Sequence, residues 1–182
     1  MLGSVKRIAA ALCLSACLAS SASAADLQSG LDAFDAGNYE GALEFWIPLA
    51  EQGNAGAQYF IGLIYENGYS VEIDYAMAAE LYGRAADAGN IDAQYSLGVL
   101  YQAGIGVTQD YAEALRLFTL AAEAGDIDAQ FSLGLMYETG VGVQADVDKA
   151  LKWYGMAAAQ GDADAADAAA QLSAGIDPVI TR

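Results

Sequence analysis

A block of 36 residues occurs three times in register, at 55–90, 91–126 and 127–162, and aligns without a gap. Matching positions read Ala57/Ala93/Ala129, Gln58/Gln94/Gln130, Gly62/Gly98/Gly134, Tyr65/Tyr101/Tyr137, Gly68/Gly104/Gly140 and Asp74/Asp110/Asp146. Tandem periodicity of this length specifies a stack, because each copy leaves an apolar face that only its neighbours can bury.

Each copy holds two helical patterns. In the second copy, Ala93, Leu97, Leu100 and Tyr101 fall at helical spacing, and a turn follows at Gly104-Ile105-Gly106-Val107. Asp110 stands where an N-cap belongs, and Glu113 three residues on predicts a capping box. The second helix then places Ala114, Leu117, Phe118, Ala121 and Ala122 inward. Gly125 ends it as a left-handed C-cap, and Asp126 caps the next helix. The fold class expected is all-α, an α/α solenoid of helix-turn-helix repeats.

Departures between the copies are informative. Met77 and Lys149 stand where Glu113 would close a capping box. Ser70 replaces the glycine of Gly106 and Gly142, so a positive φ there strains or reshapes the first turn. Gly62, Gly98 and Gly134 lie mid-helix, each costing about 1 kcal/mol against alanine. A cost repeated three times implies close approach of paired helices, with Ala78, Ala114 and Ala150 expected opposite.

The ends are degenerate, as terminal units of a stack are. Residues 26–54 read as an N-terminal half-repeat, with a short first helix near 27–36 and a second carrying Ala42, Leu43, Trp46 and Leu49. Residues 163–174 read as a C-terminal cap helix, and 175–182 as a tail. Residues 1–24 read as an export signal: Lys6 and Arg7, an apolar run too short to span a bilayer, then Ala22-Ser23-Ala24 as an A-x-A-like cleavage site. Leu14-Ser15-Ala16-Cys17 has the form of a lipobox, the alternative that would lipidate Cys17. Only six residues separate Arg7 from that motif, which favours the soluble form. Either route takes the protein out of the cytoplasm, to the periplasm or beyond, with no transmembrane segment in the mature chain.

Composition narrows the chemistry. The chain has no histidine, and both cysteines, Cys13 and Cys17, lie in the signal. That removes His-based acid/base catalysis, Ser-His and Cys-His nucleophiles, disulfides and the usual zinc sites. No metal or cofactor is implied. Losing Lys6 and Arg7 with the signal takes the net charge from −17 to −19. Nucleic-acid binding needs a basic patch and is excluded; the charge serves solubility or a basic partner. The Gly-x-Gly-Val turns lack the strand and Gly-Lys-Ser/Thr of a phosphate loop.

The repeat resembles the Sel-one-like repeat (SLR) family of the tetratricopeptide-like superfamily. The matched elements are Ala-x-Ala-Gln-Tyr/Phe at 55–59, 91–95 and 127–131, Leu-Gly-x-x-Tyr at 97–101 and 133–137, Gly-x-Gly-Val at 104–107 and 140–143, and Ala-Ala-x-x-Gly at 85–89, 121–125 and 157–161. Trp153-Tyr154 matches its aromatic pair. The resemblance implies first helices that line a concave side, and a scaffold or adaptor that binds another protein. By analogy the groove takes the fifth, ninth and twelfth residues of each first helix: Tyr59, Tyr95 and Phe131; Leu63, Val99 and Leu135; Glu66, Gln102 and Glu138. These make an aromatic ladder beside an aliphatic row edged by acid, suited to a basic peptide segment; aromatics at this spacing also serve as core. A cysteine-rich branch of the family has been linked to β-lactam binding or hydrolysis. This chain lacks those cysteines and any Ser-x-x-Lys in its mature part, so the expected role is binding, without catalysis.

Overall fold

The computed structural model describes residues 24–175; residues 1–23 of the expected signal, with Cys17, and residues 176–182 lie outside the described residues. The described residues divide into two compact units, one ending at Ala88 and the other beginning at Gly89. All regular structure among the described residues is helical.

The first unit holds α1 (Ala24–Asp35), α2 (Tyr39–Glu51), α3 (Ala55–Asn67) and α4 (Tyr75–Asp87), each packed on the next. The second holds α5 (Ile91–Ala103), α6 (Tyr111–Glu123), α7 (Ile127–Thr139), α8 (Val147–Ala159) and α9 (Ala163–Ser173), again packed in succession. Each unit is thus a stack of antiparallel helix pairs, an α/α solenoid in class.

Boundaries follow from local chemistry. The side chains of Asn38, Asn54, Asp74, Asn90, Asp110, Asp126, Asp146 and Asp162 each accept a backbone N–H of the first turn they precede. Such a cap is worth about 1 kcal/mol. The cap aspartates also close the long turns with their own amides. Asp74, Asp110 and Asp146 N–H donate to the carbonyls of Tyr65, Tyr101 and Tyr137 at 3.0, 3.0 and 2.8 Å.

That bond corrects one expectation. Glu113 does not reach back to the Asp110 amide, which is already used on Tyr101. It turns instead to Arg116, at 2.6 and 2.9 Å, and that guanidinium holds its carboxyl below the usual range. Ser70 sits at φ 59°, where Gly106 and Gly142 have 71° and 72°, so the first turn keeps the shape at a strained residue. Its neighbour Tyr69 stacks on Tyr39 at 4.5 Å and edges onto Phe34 at 5.8 Å.

The mid-helix glycines mark close approach, yet the opposing residues are not the alanines expected. A Cβ on Gly62 would lie 2.5 Å from Tyr82 Cε1, and one on Gly98 2.7 Å from Phe118 Cε1. On Gly134 it would strike the Tyr154 ring. Tyr82, Phe118 and Tyr154 are among the largest fully buried side chains, so each glycine seats the ring that centres its repeat. Within each unit a buried glutamine locks one pair to the one before. Gln58 Nε2 donates to Ala50 O at 3.1 Å, and Gln130 Nε2 to Ala122 O at 3.0 Å.

Candidate functional site

On α5 the buried positions are Ala93, Gln94, Leu97, Gly98 and Leu100. The side left open carries Asp92, Tyr95, Val99 and Gln102, spaced three, four and three apart on one helix face. On α7 the same side carries Asp128, Phe131, Leu135 and Glu138. The first unit repeats it on α3 with Tyr59, Leu63 and Glu66. Tyr59, Leu63 and Glu66 therefore stand together in one unit, and the six other expected groove residues in the other.

The aromatics are half-buried, with one face rooted in the core. Tyr59 lies 5.7 Å from Tyr82, Tyr95 5.7 Å from Phe118, and Phe131 5.5 Å from Tyr154, ring centre to ring centre. Each is the outer lid on the ring its own repeat buries. Tyr95 and Val99 also pack against the buried cluster to which α7 contributes Ala129, Leu133 and Met136, and burial, then Asp128, push the Tyr95 phenol up. The α5 and α7 faces are thus adjacent. Leu63 and Val99 are half-buried, whereas Leu135 is 43% exposed.

The acidic edge expected at the twelfth position needs correction. Tyr82 Oη donates to Glu66 Oε2 at 2.5 Å, and Tyr154 Oη to Glu138 Oε2 at 2.6 Å. Burial first, then the carboxylate bond, drives both phenols well above their ordinary pKa. Glu138 Oε1 is buried with no hydrogen-bond partner. In the remaining repeat the ring is Phe118, with no hydroxyl to offer, and the twelfth residue is Gln102. Tyr pairs with Glu, and Phe with Gln. Glu66 and Glu138 are braces first and surface charges second. The signal was in the sequence: partners 16 residues apart that change together between copies.

The open charge lies at the other end of the face. Asp92 and Asp128 are exposed at the second position, and neither pairs with a described cation. Beside them Asp126 caps α7, accepting from Ala129 N–H at 2.7 Å. Burial, then the charges of Asp128 and Asp92, raise its carboxyl above the usual range. Every described basic residue is on a second helix. Arg84 pairs with Glu80 at 2.5 Å, Arg116 with Glu113 at 2.6 Å and Lys149 with Asp146 at 3.3 Å, while Lys152 lies 5.1 Å over the Trp153 ring. Among the described residues no cluster of acids is disposed to hold a metal, and no helix is long and apolar enough to cross a membrane.

The Sel1 repeat model matches at 55–90, 91–126 and 127–162. Among solved structures, a Sel1 repeat protein from Oxalobacter formigenes is 32% identical with a TM-score of 0.77, over 83% of this chain and 63% of its own. A protective antigen of uropathogenic Escherichia coli strains displaying an SLR fold is 36% identical with a TM-score of 0.79, over 97% of this chain and 37% of its own. This chain thus spans less than two thirds of the length of either. No curated protein matches the sequence.

Proposed function

This chain belongs to the Sel1 repeat family, and from that premise we propose that it is an exported interaction scaffold whose first-helix faces hold a partner protein by a basic segment. The family generally mediates protein contacts and is generally non-catalytic. The observation that carries the reading is the division of charge. The first-helix faces of α5 and α7 present open aspartates beside apolar side chains, and no first helix carries a described lysine or arginine, whereas second-helix cations are already engaged. A cationic segment meets complementary charge on the first-helix side of the second and third repeats and mixed charge on the other, which favours docking and orientation on that side. Export to the periplasm or beyond rests on residues 1–24. Within that compartment the role is in envelope signalling, or in assembly of the envelope and its polysaccharides.

The test is recovery of partners from envelope extract. The wild-type protein is compared with an Asp92→Asn/Asp128→Asn/Leu135→Ser variant of the first-helix face and an Arg116→Ala/Lys152→Ala variant of the outer face. The reading expects partners lost only in the first. Loss only in the second would move the docking side to the second helices and refute it.

A further inference from the structure

The second unit sorts its open side chains into rows that run across α5 and α7. Asp92 and Asp128 form an acidic row, Tyr95 and Phe131 an aromatic row, and Val99 and Leu135 an aliphatic row. The rows are in register because the repeats are, and Tyr95 and Val99 of α5 pack against the buried cluster that holds Leu133 and Met136 of α7, which sets the two helices side by side. Beyond the aliphatic row Gln102 is neutral, and Glu138 turns its carboxylate to the Tyr154 hydroxyl with Oε1 buried, away from the open face.

From this arrangement we infer that the occupant of the second unit is an amphipathic α-helix with an apolar face and one cationic flank. It lies across α5 and α7 with its cations over the aspartates. The inference rests on the reading that first-helix faces hold a partner, and adds the partner's shape. Seven residues separate the acidic and aliphatic rows, about 10.5 Å at 1.5 Å per residue. A helix with side chains is about 10–12 Å across, so one helix laid over the aromatic row covers both flanking rows at once. A strand sends alternate side chains to opposite faces and presents a single row to the surface below, so it meets the acids or the aliphatics and not both. The half-buried rings of Tyr95 and Phe131 form a firm floor, because Phe118 and Tyr154 back them. They also offer a face to lysine side chains bound for the aspartates.

The experiment uses labelled synthetic peptides of about 21 residues, long enough to form helix on the surface, with fluorescence anisotropy on the full chain. One places leucines on a single face and lysines on one flank. A second has the same composition with lysines opposite the leucines, and a third breaks the first with a central proline. The one-flank peptide should bind about tenfold tighter than the second, as several matched charges allow at low salt. Asp92→Asn/Asp128→Asn should erase that preference, and Leu135→Ser should weaken both helical peptides. Circular dichroism of each variant confirms that it is folded. If the proline peptide binds as well as its parent and still responds to Leu135→Ser, the helix inference is overturned while the docking face stands. If no peptide binds, or binding ignores both substitutions, the inference and the docking face fall together.

Discussion

Two glycine-to-alanine substitutions in the second unit should move stability in opposite directions. Gly155 lies mid-helix in α8, exposed, with nothing within 4 Å of where a Cβ would stand. Gly155→Ala should gain the helix-propensity difference, about 1 kcal/mol. Gly134 has the same propensity to gain, but its Cβ would strike Tyr154, with Cε1 at 2.5 Å. Carbon contacts prefer about 3.5–4.0 Å, so the ring must retreat by about 1 Å. Tyr154 is fully buried, and overpacking of this kind costs about 1–3 kcal/mol. The same retreat stretches the 2.6 Å bond to Glu138 past useful range, at about 1.5–3 kcal/mol for a bond to a charged group. Set against the propensity gain, Gly134→Ala should lose about 1.5–5 kcal/mol. Gly98→Ala should fall between, because Phe118 stands 2.7 Å away and holds no such bond; Gly98→Leu, which adds bulk at the same contact, should be worse. For a chain of this size each kcal/mol moves Tm by about 2–4 °C. Thermal and urea melts followed by circular dichroism should therefore rank Gly155→Ala above wild type, then Gly98→Ala, then Gly134→Ala. A Gly134→Ala protein melting at or above wild type would show that the glycine does not seat the ring.

Three further outcomes are expected. Gln58 Oε1 is buried without a partner, whereas Gln130 Oε1 accepts from Gln160 Nε2 at 2.9 Å; the residue corresponding to Gln160 is Ala88. Ala88→Gln should supply the missing donor and raise stability by about 1 kcal/mol in urea unfolding, and no gain would mean that the site is already solvated. Tyr154→Phe should cost about 1.5–3 kcal/mol by stranding the Glu138 carboxylate. Adding Glu138→Gln, which copies Phe118 and Gln102, should recover most of that in a double-mutant cycle, and additive effects would deny the coupling. Asp126, its carboxyl raised chiefly by burial, binds a proton more tightly folded than unfolded. Its charge therefore weakens the fold at neutral pH, and the penalty fades as pH falls through the raised pKa toward the unfolded value. Asp126→Asn, the residue type already at Asn54 and Asn90, keeps the cap and should raise the urea midpoint at neutral pH. The gain should shrink toward about pH 4; a gain independent of pH would assign it to something other than titration.

The helices, their caps and the left-handed turn were legible because each rests on local chemistry that recurs at fixed spacing. Asp110 caps α6, Gly125 has φ 103°, and Ser70 carries the positive φ that its place in the repeat demanded. What spacing could not supply was the identity of the neighbour. The periodicity located Gly98 as a point of close approach, yet only the direction of the Phe118 side chain decides that a ring, not Ala114, fills it. The capping box failed for a similar reason: a turn bond from Asp110 to Tyr101 used the amide that Glu113 would have taken. At the candidate face, position along the helix placed Leu135 in the open, but the fate of Glu138 depended on a hydroxyl from the following helix. The open charge was at Asp92 and Asp128, one helical turn before the aromatics, where exposure rather than motif singles them out.

The brace between Tyr82 and Glu66, and its counterpart between Tyr154 and Glu138, bears on how such a chain can lengthen or shorten. Both ends of each brace fall inside one 36-residue block, 16 residues apart. A gene rearrangement that copies or deletes a whole block carries donor and acceptor together, and deleting 91–126 removes the Phe118 and Gln102 pair while leaving both braces whole. A crossover that joins the first helix of one block to the second helix of another instead makes Gln beside Tyr, or Glu beside Phe. The latter strands a carboxylate against a buried ring. The block, and not the helix, is therefore the smallest piece that can be shuffled without a penalty in the interior, which sets where viable breakpoints fall in the coding sequence.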